Sequence, residues 1–456
     1  MYLKRKIDEV LLSWCEEQPR KPLLLRGARQ VGKTSAIRKL AEQFTHYLEI
    51  NFEEQKAVHG LFEGDLDPVE ISRNLSIMYN IPVEEGKTLL FFDEIQACIP
   101  AISSIRFFYE KLPGLHLIAA GSLLEFALQE LPSFGVGRIR SLFVHPFSFD
   151  EFLQACGEES LLTAKLGAAT GRPLPDPVHQ ILVNHFKRYL VLGGMPEVVA
   201  EYARNKNFLT CQQILQDIII SLKSDFAKYK KRVPSLRIQE VFESVVQQNG
   251  CKFVFSRTIS ESNHKQVKEA LDLLILAGLV IPVTHTSAQG LPLGSGQRLE
   301  KRKMLIFDTG IFQRLIGLDI SSLLFEEGFQ AANRGAIAEL FVGLEMIRSA
   351  SPYQPVPLYY WHREALNSNA EVDYLVQQGG GIVPVEVKSG TKGSMQSMFL
   401  FLKERQQPYG IRCSLENFAT FEQIRVYPLY AVSNFMRDPK PDTDINPEYF
   451  RSYRKN

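Results

Sequence analysis

Residues 27 to 34 read Gly27-Ala28-Arg29-Gln30-Val31-Gly32-Lys33-Thr34, which places glycine, glycine, lysine and threonine at the spacing G-x-x-x-x-G-K-[ST]. Such a loop needs a strand delivering chain to it and a helix leaving it. Leu23-Leu24-Leu25 reads as the strand. Lys33 to Phe44 reads as the helix, with Ile37, Leu40, Ala41 and Phe44 on one face. Gly27 and Gly32 let the backbone turn inward, so that the N–H groups of Gly27, Ala28, Arg29, Gln30, Val31 and Gly32 are candidates to meet phosphate oxygens. The helix N-terminus adds partial positive charge. Lys33 is placed to reach the β- and γ-phosphates, and the Thr34 hydroxyl to ligate Mg²⁺. The loop therefore predicts ATP and Mg²⁺ as ligands.

A second half of the site is expected about 60 residues on. Thr88-Leu89-Leu90-Phe91-Phe92 is an almost continuous apolar run, the pattern of a strand buried on both faces, and it ends in Asp93-Glu94. Paired carboxylates at the tip of a buried strand are costly unless something cationic or wet faces them. Asp93 is the candidate for holding a magnesium-bound water, and Glu94 for orienting and deprotonating an attacking water. The next apolar run, Leu115 to Ala120, delivers Gly121-Ser122. Ser122 reads either as a γ-phosphate sensor or as a helix cap. Arg138 and Arg140 are candidate arginine fingers, or else part of a solvated basic loop.

A chain of 456 residues exceeds one core and predicts two to four domains. Residues 1–145 alternate short apolar runs with helical periods, the pattern of an α/β fold with a parallel sheet. The strand candidates are Leu23-Leu25, Tyr47-Phe52, Thr88-Phe92, Leu115-Ala120 and Leu142-His145. Helical patterns dominate 146–234, read as a lid or linker. Residues 235–330 read as helix, short strand, helix and two strands around a Gly/Pro/Ser-rich loop, a winged-helix-like order with a connector. Lys265, Lys268, Arg298, Lys301, Arg302 and Lys303 are its candidate DNA-phosphate contacts, with ordinary solvated charges as the alternative.

The 52 basic and 51 acidic residues give a net charge of +1, so no whole-chain field draws this protein to nucleic acid or to an anionic membrane. Six cysteines without a C-x-x-C pair fit a reducing compartment. The longest apolar stretch, Leu271 to Val283, contains Asp272 and is too short to cross a bilayer. A cytoplasmic protein is expected.

The final segment, 331–456, places Glu339 on a helix, Glu371-Val372-Asp373 at a strand start and Glu386-Val387-Lys388 at a strand end. Glu386 and Lys388 share one strand face. If Gly379-Gly380 forms a two-residue hairpin turn, counting back sets Asp373 opposite Glu386 and Glu371 opposite Lys388. Carboxylates facing across a ladder repel unless a cation lies between them. In that reading Asp373 and Glu386 are magnesium ligands and Lys388 activates water or steadies developing charge. The alternative is a solvent face on which Glu371 pairs with Lys388.

Taken together, the chain resembles bacterial and archaeal AAA-type ATPases that carry a C-terminal domain of unknown function. The residues carrying the resemblance are Arg26 to Thr34, Phe92-Asp93-Glu94-Ile95-Gln96 and Pro146-Phe147-Ser148-Phe149-Asp150-Glu151-Phe152. Further on come Gly193-Gly194-Met195-Pro196, Phe307-Asp308-Thr309-Gly310 and Glu386-Val387-Lys388-Ser389. The resemblance implies a core sheet with an extra strand between the two nucleotide motifs, a winged-helix-like middle and a terminal domain similar to PD-(D/E)XK nucleases. Glu339, Asp373, Glu386 and Lys388 match that nuclease pattern, which would make Glu339 a further metal ligand; Val372 stands where the pattern's proline would be. The expected function is ATP hydrolysis coupled to a nuclease-like module acting on DNA. The alternative is a nucleotide-dependent switch that binds a protein partner and cleaves nothing.

Overall fold

The computed structural model describes residues 2–130, 137–229, 233–258, 264–318, 331–364, 369–390 and 393–437. Five strands form a parallel sheet: β1 (Leu23–Arg26), β2 (His46–Asn51), β3 (Thr88–Asp93), β4 (His116–Ala120) and β5 (Arg140–Phe143), in the order β2-β3-β4-β1-β5. Strand β4 thus lies between the strand that enters the phosphate loop and the strand that ends in Asp93. All six residues of β3 are buried. Leu89 and Phe91 enter the core on one side of the sheet, and Leu90 and Phe92 the core on the other. Full burial of each such side chain contributes about 1.5–3 kcal/mol. This core holds the acidic strand end in place.

Helices fill residues 149–225, among them Asp176–Leu192, Pro196–Asn205 and Phe208–Asp225. Beyond them stands a second sheet of eight strands. Its members are β6 (Val280–Thr286), β7 (Gln297–Ile306), β8 (Leu358–His362), β9 (Glu371–Gln378), β10 (Gly381–Val387), β11 (Gly410–Ser414), β12 (Ala419–Phe421) and β13 (Ile424–Pro428). Their order is β12-β13-β11-β10-β9-β8-β6-β7. The two-glycine turn sets the β9–β10 register as counted from the sequence, with Gly381 opposite Gln378 and Val385 opposite Tyr374.

The expected wing is not a free hairpin. Strand β6 pairs antiparallel with β7 on one side and parallel with β8 on the other. The backbone groups of β6 are therefore satisfied within the C-terminal sheet, and β7 is that sheet's edge. The expected boundary near residue 330 lies outside the described residues, but one sheet runs through both flanking segments.

Three of the sequence motifs meet in one buried polar junction. The Gly194 N–H donates to Asp308 Oδ2 at 2.7 Å, and the Phe147 N–H donates to the Gly194 carbonyl at 2.7 Å. Arg348, on the helix Ala331–Ser349, donates to the Phe307 carbonyl at 3.1 Å, to Asp308 Oδ2 at 3.5 Å and to the Tyr189 hydroxyl. Glu345 on the same helix accepts from the Phe149 N–H at 3.2 Å. Buried charges persist only when paired and hydrogen-bonded, so this junction ties helix and loop motifs into one arrangement.

Candidate functional site

The loop 27–34 runs from β1 to the helix Lys33–Ala41, and its sharp turn depends on glycine. At Gly27 φ is +142°, and a Cβ there would lie 2.1 Å from the Val144 carbonyl oxygen. No other residue fits at that approach. Lys33 Nζ donates to the carbonyls of Gly27 and Ala28, each at 2.8 Å, so the ammonium is held inside the curve of the loop. Burial pushes its pKa down to about 8, while Glu94 and Asp93 pull the other way.

Across the loop, Thr34 Oγ1 donates to Asp93 Oδ2 at 3.2 Å. Burial, with the neighbouring Glu94 charge, raises Asp93 to about 6. A hydroxyl and a carboxylate oxygen this close, the latter short of positive charge, suit the oxygen-rich coordination that Mg²⁺ takes. Glu94 adopts left-handed backbone geometry, with φ of +46°. That conformation is unusual for a side chain with a Cβ and aims Glu94 across towards Ser122.

Glu94 Oε2 accepts from the Gln96 amide at 2.6 Å, the Ser122 hydroxyl at 3.1 Å and the Ser122 N–H at 3.2 Å. Burial favours protonation of Glu94, but these donors outweigh it and hold the carboxyl below its ordinary value. Ser122 Oγ also accepts from Arg29 Nε at 3.0 Å, and Arg29 Nη1 pairs with Asp225 at 2.6 Å. A continuous polar chain thus runs Glu94–Ser122–Arg29–Asp225. It links the acidic strand end to the last residue of the helix Phe208–Asp225.

Arg29, Lys33, Thr34, Asp93, Glu94 and Ser122 line a cavity of about 660 Å³. Several of its walls escaped the sequence reading. Tyr2, Leu3 and Arg5 come from the N-terminal segment, Pro196 and Ala200 from one helix, and Ile218 from the next. Arg5 donates to the Val31 carbonyl at 2.7 Å and the His145 carbonyl at 2.6 Å, fastening that segment to the phosphate loop. The signals available were a lone arginine near the N-terminus and the turn motif 193–196, neither of which indicates its partner.

Neither candidate finger reaches this cavity. Arg138 pairs with Glu110, and Arg140 pairs with Glu17 while stacking 5.4 Å over the Tyr353 ring. Arg140 lies opposite Leu23, at the start of β1 and away from the loop that follows its end. The cavity is lined instead by Arg5, Arg29 and Arg38, of which Arg29 belongs to the loop itself.

The C-terminal residues also converge. Lys388 Nζ lies 2.6 Å from Glu386 Oε1, and Asp373 Oδ2 accepts from the Val387 N–H at 2.8 Å. Lys303, assigned above to DNA phosphate, is 2% exposed. Its Nζ lies 2.9 Å from Glu339, 2.5 Å from Glu371 and 4.0 Å from Asp373. Glu371 therefore pairs with Lys303 rather than Lys388. Among the described residues, no group of three or more His, Cys, Asp or Glu side chains is placed to hold a metal ion. Burial raises Glu339 to about 8 and Glu386 to about 7.

The other expected phosphate contacts are largely committed. Arg298 and Lys301 both pair with Glu364, at 2.7 and 2.6 Å. Arg302 donates to the Leu299 carbonyl at 2.5 Å. Among the described residues, no helix is long and apolar enough to cross a membrane.

Comparison with known proteins agrees with the geometry of the loop. Residues 19–153 match the family model described as an AAA domain. Residues 183–322 and 334–432 each match a model described as a domain of unknown function (DUF8612 and DUF4143). An uncharacterized protein of Methanocaldococcus jannaschii is 25% identical over 206 residues, covering 42% of this chain and 41% of that protein. The match thus spans less than half the length of that relative. Among solved structures, a Walker-type ATPase of Pyrococcus abyssi is similar at 15% identity, with a TM-score of 0.44, over 69% of this chain and 96% of that one. The Aeropyrum pernix Orc1 protein in complex with DNA is similar at 14% identity, with a TM-score of 0.25, over 72% of this chain and 92% of that one.

Proposed function

We propose that the AAA-type P-loop domain of this chain binds Mg-ATP in the cavity beside residues 27–34 and hydrolyses it. The observation that carries this reading is the convergence of Lys33 and Thr34 with Asp93 and Glu94, from two separated segments, onto one cavity. The loop N–H groups and Lys33 bind the phosphates, while Leu3, Pro196, Ala200 and Ile218 offer an apolar wall to the base. Magnesium, when bound by Thr34 and Asp93, supplies charge neutralisation at the transferred phosphoryl group. Glu94, kept ionised by Ser122 and Gln96, orients the attacking water and takes its proton. Arg29 stands beside Ser122, where a cation favours charge developing on the γ-phosphate.

The test is phosphate release by the full chain with Mg²⁺ and with excess chelator. Turnover that requires Mg²⁺ and falls in Thr34→Ala supports the reading. Folded protein that releases no phosphate from ATP in either condition refutes it.

The output of the ATPase is the C-terminal sheet. A nucleotide-dependent switch acting on a protein partner is better supported than a DNA-cutting module. The favouring observation is that Arg298 and Lys301 are both engaged by the Glu364 carboxylate and Lys303 is buried. Double-stranded DNA that raises ATP turnover, in a manner lost in Arg298→Ala/Lys301→Ala, would reverse that preference.

A further inference from the structure

The carboxylate cluster of the C-terminal sheet is assembled from two separately matched segments of chain. Glu339, Glu371, Asp373, Glu386 and Lys388 lie within residues 334–432, whereas Lys303 lies within residues 183–322. Lys303 enters from the edge strand β7, and its ammonium ends among carboxylates from a helix and from β9. Glu339 and Glu371 accept from it, and Asp373 stands at 4.0 Å. The Tyr360 ring covers it at 5.2 Å from the ring centre. Three acidic side chains thus surround one buried lysine nitrogen.

A divalent cation needs about six oxygen ligands at close range, drawn here from the same carboxylates. A metal ion entering here would have to displace Lys303 from Glu339 and Glu371, since two cations a few ångströms apart in a buried site repel. Glu386 Oε1 is taken by Lys388, while Glu386 Oε2 is buried without a hydrogen-bond partner. The cation among these carboxylates is thus supplied by the chain itself.

We propose that Lys303 is the tethered counter-ion of this cluster, standing where a metal-dependent enzyme would hold a divalent cation, so that the C-terminal sheet in this conformation excludes metal. The hairpin carrying Lys303 also reaches the nucleotide domain. At its start, a Cβ on Gly278 would lie 3.4 Å from the Ala28 nitrogen in the phosphate loop. At its end, Phe307 lines the cavity behind Gly27 and Ala28, and Asp308 holds Gly194. One hairpin therefore spans from the phosphate loop to the carboxylates.

The test is Mn²⁺ uptake by the nucleotide-free full chain, read from the electron paramagnetic resonance signal of free Mn²⁺. Four proteins are compared: wild type, Asp373→Asn, Lys303→Gln and the double variant. Wild type and Asp373→Asn are expected to take up equal Mn²⁺. Lys303→Gln is expected to gain one equivalent, which the double variant loses. Wild type that binds one equivalent more than Asp373→Asn overturns the proposal. So does folded Lys303→Gln that gains none. If Lys303→Gln does not fold, wild type against Asp373→Asn and Glu386→Gln decides: equal uptake supports the tethered counter-ion, and excess in the wild type rules it out.

Discussion

Arg29, inside the phosphate loop, and Asp225, at the end of the helix Phe208–Asp225, form an ion pair with an N···O distance of 2.6 Å. The same guanidinium donates to Ser122, which in turn donates to Glu94. The Glu94 carboxylate is thereby coupled to a helix outside the five-stranded sheet. Truncating Asp225→Ala leaves Arg29 with one partner fewer in a largely buried place. Hydrogen bonds to charged groups contribute about 1.5–3 kcal/mol, and urea denaturation should register a loss in that range. An unchanged midpoint would mean that the pair does not constrain the loop.

Glu94 is assigned to the water and not to the nucleotide. Substituting Glu94→Gln keeps the size and the contact with Ser122 but removes the base. Single-turnover kinetics should show hydrolysis slower by about 10²- to 10⁴-fold, with Mg-ATP affinity close to that of the wild type. Loss of affinity with little change in rate would place Glu94 in binding instead.

Asp308 anchors the junction between the motifs 146–152, 193–196 and 307–310. It accepts from Gly194, Gly310 and Ile311 and lies against Arg348. Removing one partner of a buried, hydrogen-bonded pair costs about 3–5 kcal/mol because the other charge is left uncompensated. Asp308→Ala should therefore lower stability in chemical denaturation by that amount, well beyond the effect of an ordinary surface change.

His116, on β4, is packed edge-on against the rings of Trp14 and Phe44. Burial, helped by Arg20, lowers its pKa to about 4. A depressed value in the folded state means stability that is present above the unfolded pKa, near 6.5. That stability is lost as pH falls from there through about 4. Between pH 7 and pH 4.5, His116→Phe should lose less stability than the wild type when urea midpoints are compared. A parallel loss in both proteins would show that His116 does not contribute to the acid sensitivity.

The nucleotide-binding sheet was legible because its signals are local. An apolar run such as Thr88 to Phe92 marks a buried strand without reference to partners, and the five strand candidates of residues 1–145 coincide with β1 to β5, shifted by at most two residues at their ends. The β9–β10 register was readable for the same reason, since two glycines set a turn and counting does the rest. The placement of β6 beside β8 was not readable. That pairing joins segments more than 70 residues apart, and a parallel partner leaves no mark on a strand's own pattern. Lys303 illustrates the consequence at a functional cluster. Within Glu300-Lys301-Arg302-Lys303 it resembles its charged, less buried neighbours, and only the sheet order turns it inward. Arg29 was named as a backbone contact of the loop, while its side-chain chain to Glu94 depends on a helix almost 200 residues away.

The account rests on the loop 27–34 as an anion cradle with Lys33 inside it, and calorimetric titration of Mg-ATP tests this most directly. The folded wild type should bind one nucleotide per chain. Lys33→Ala, with its fold verified, should bind roughly ten- to a hundredfold more weakly, the range expected for a charge-assisted contact to phosphate. Folded wild type that takes up no ATP, or Lys33→Ala that binds as tightly as the wild type, would contradict it.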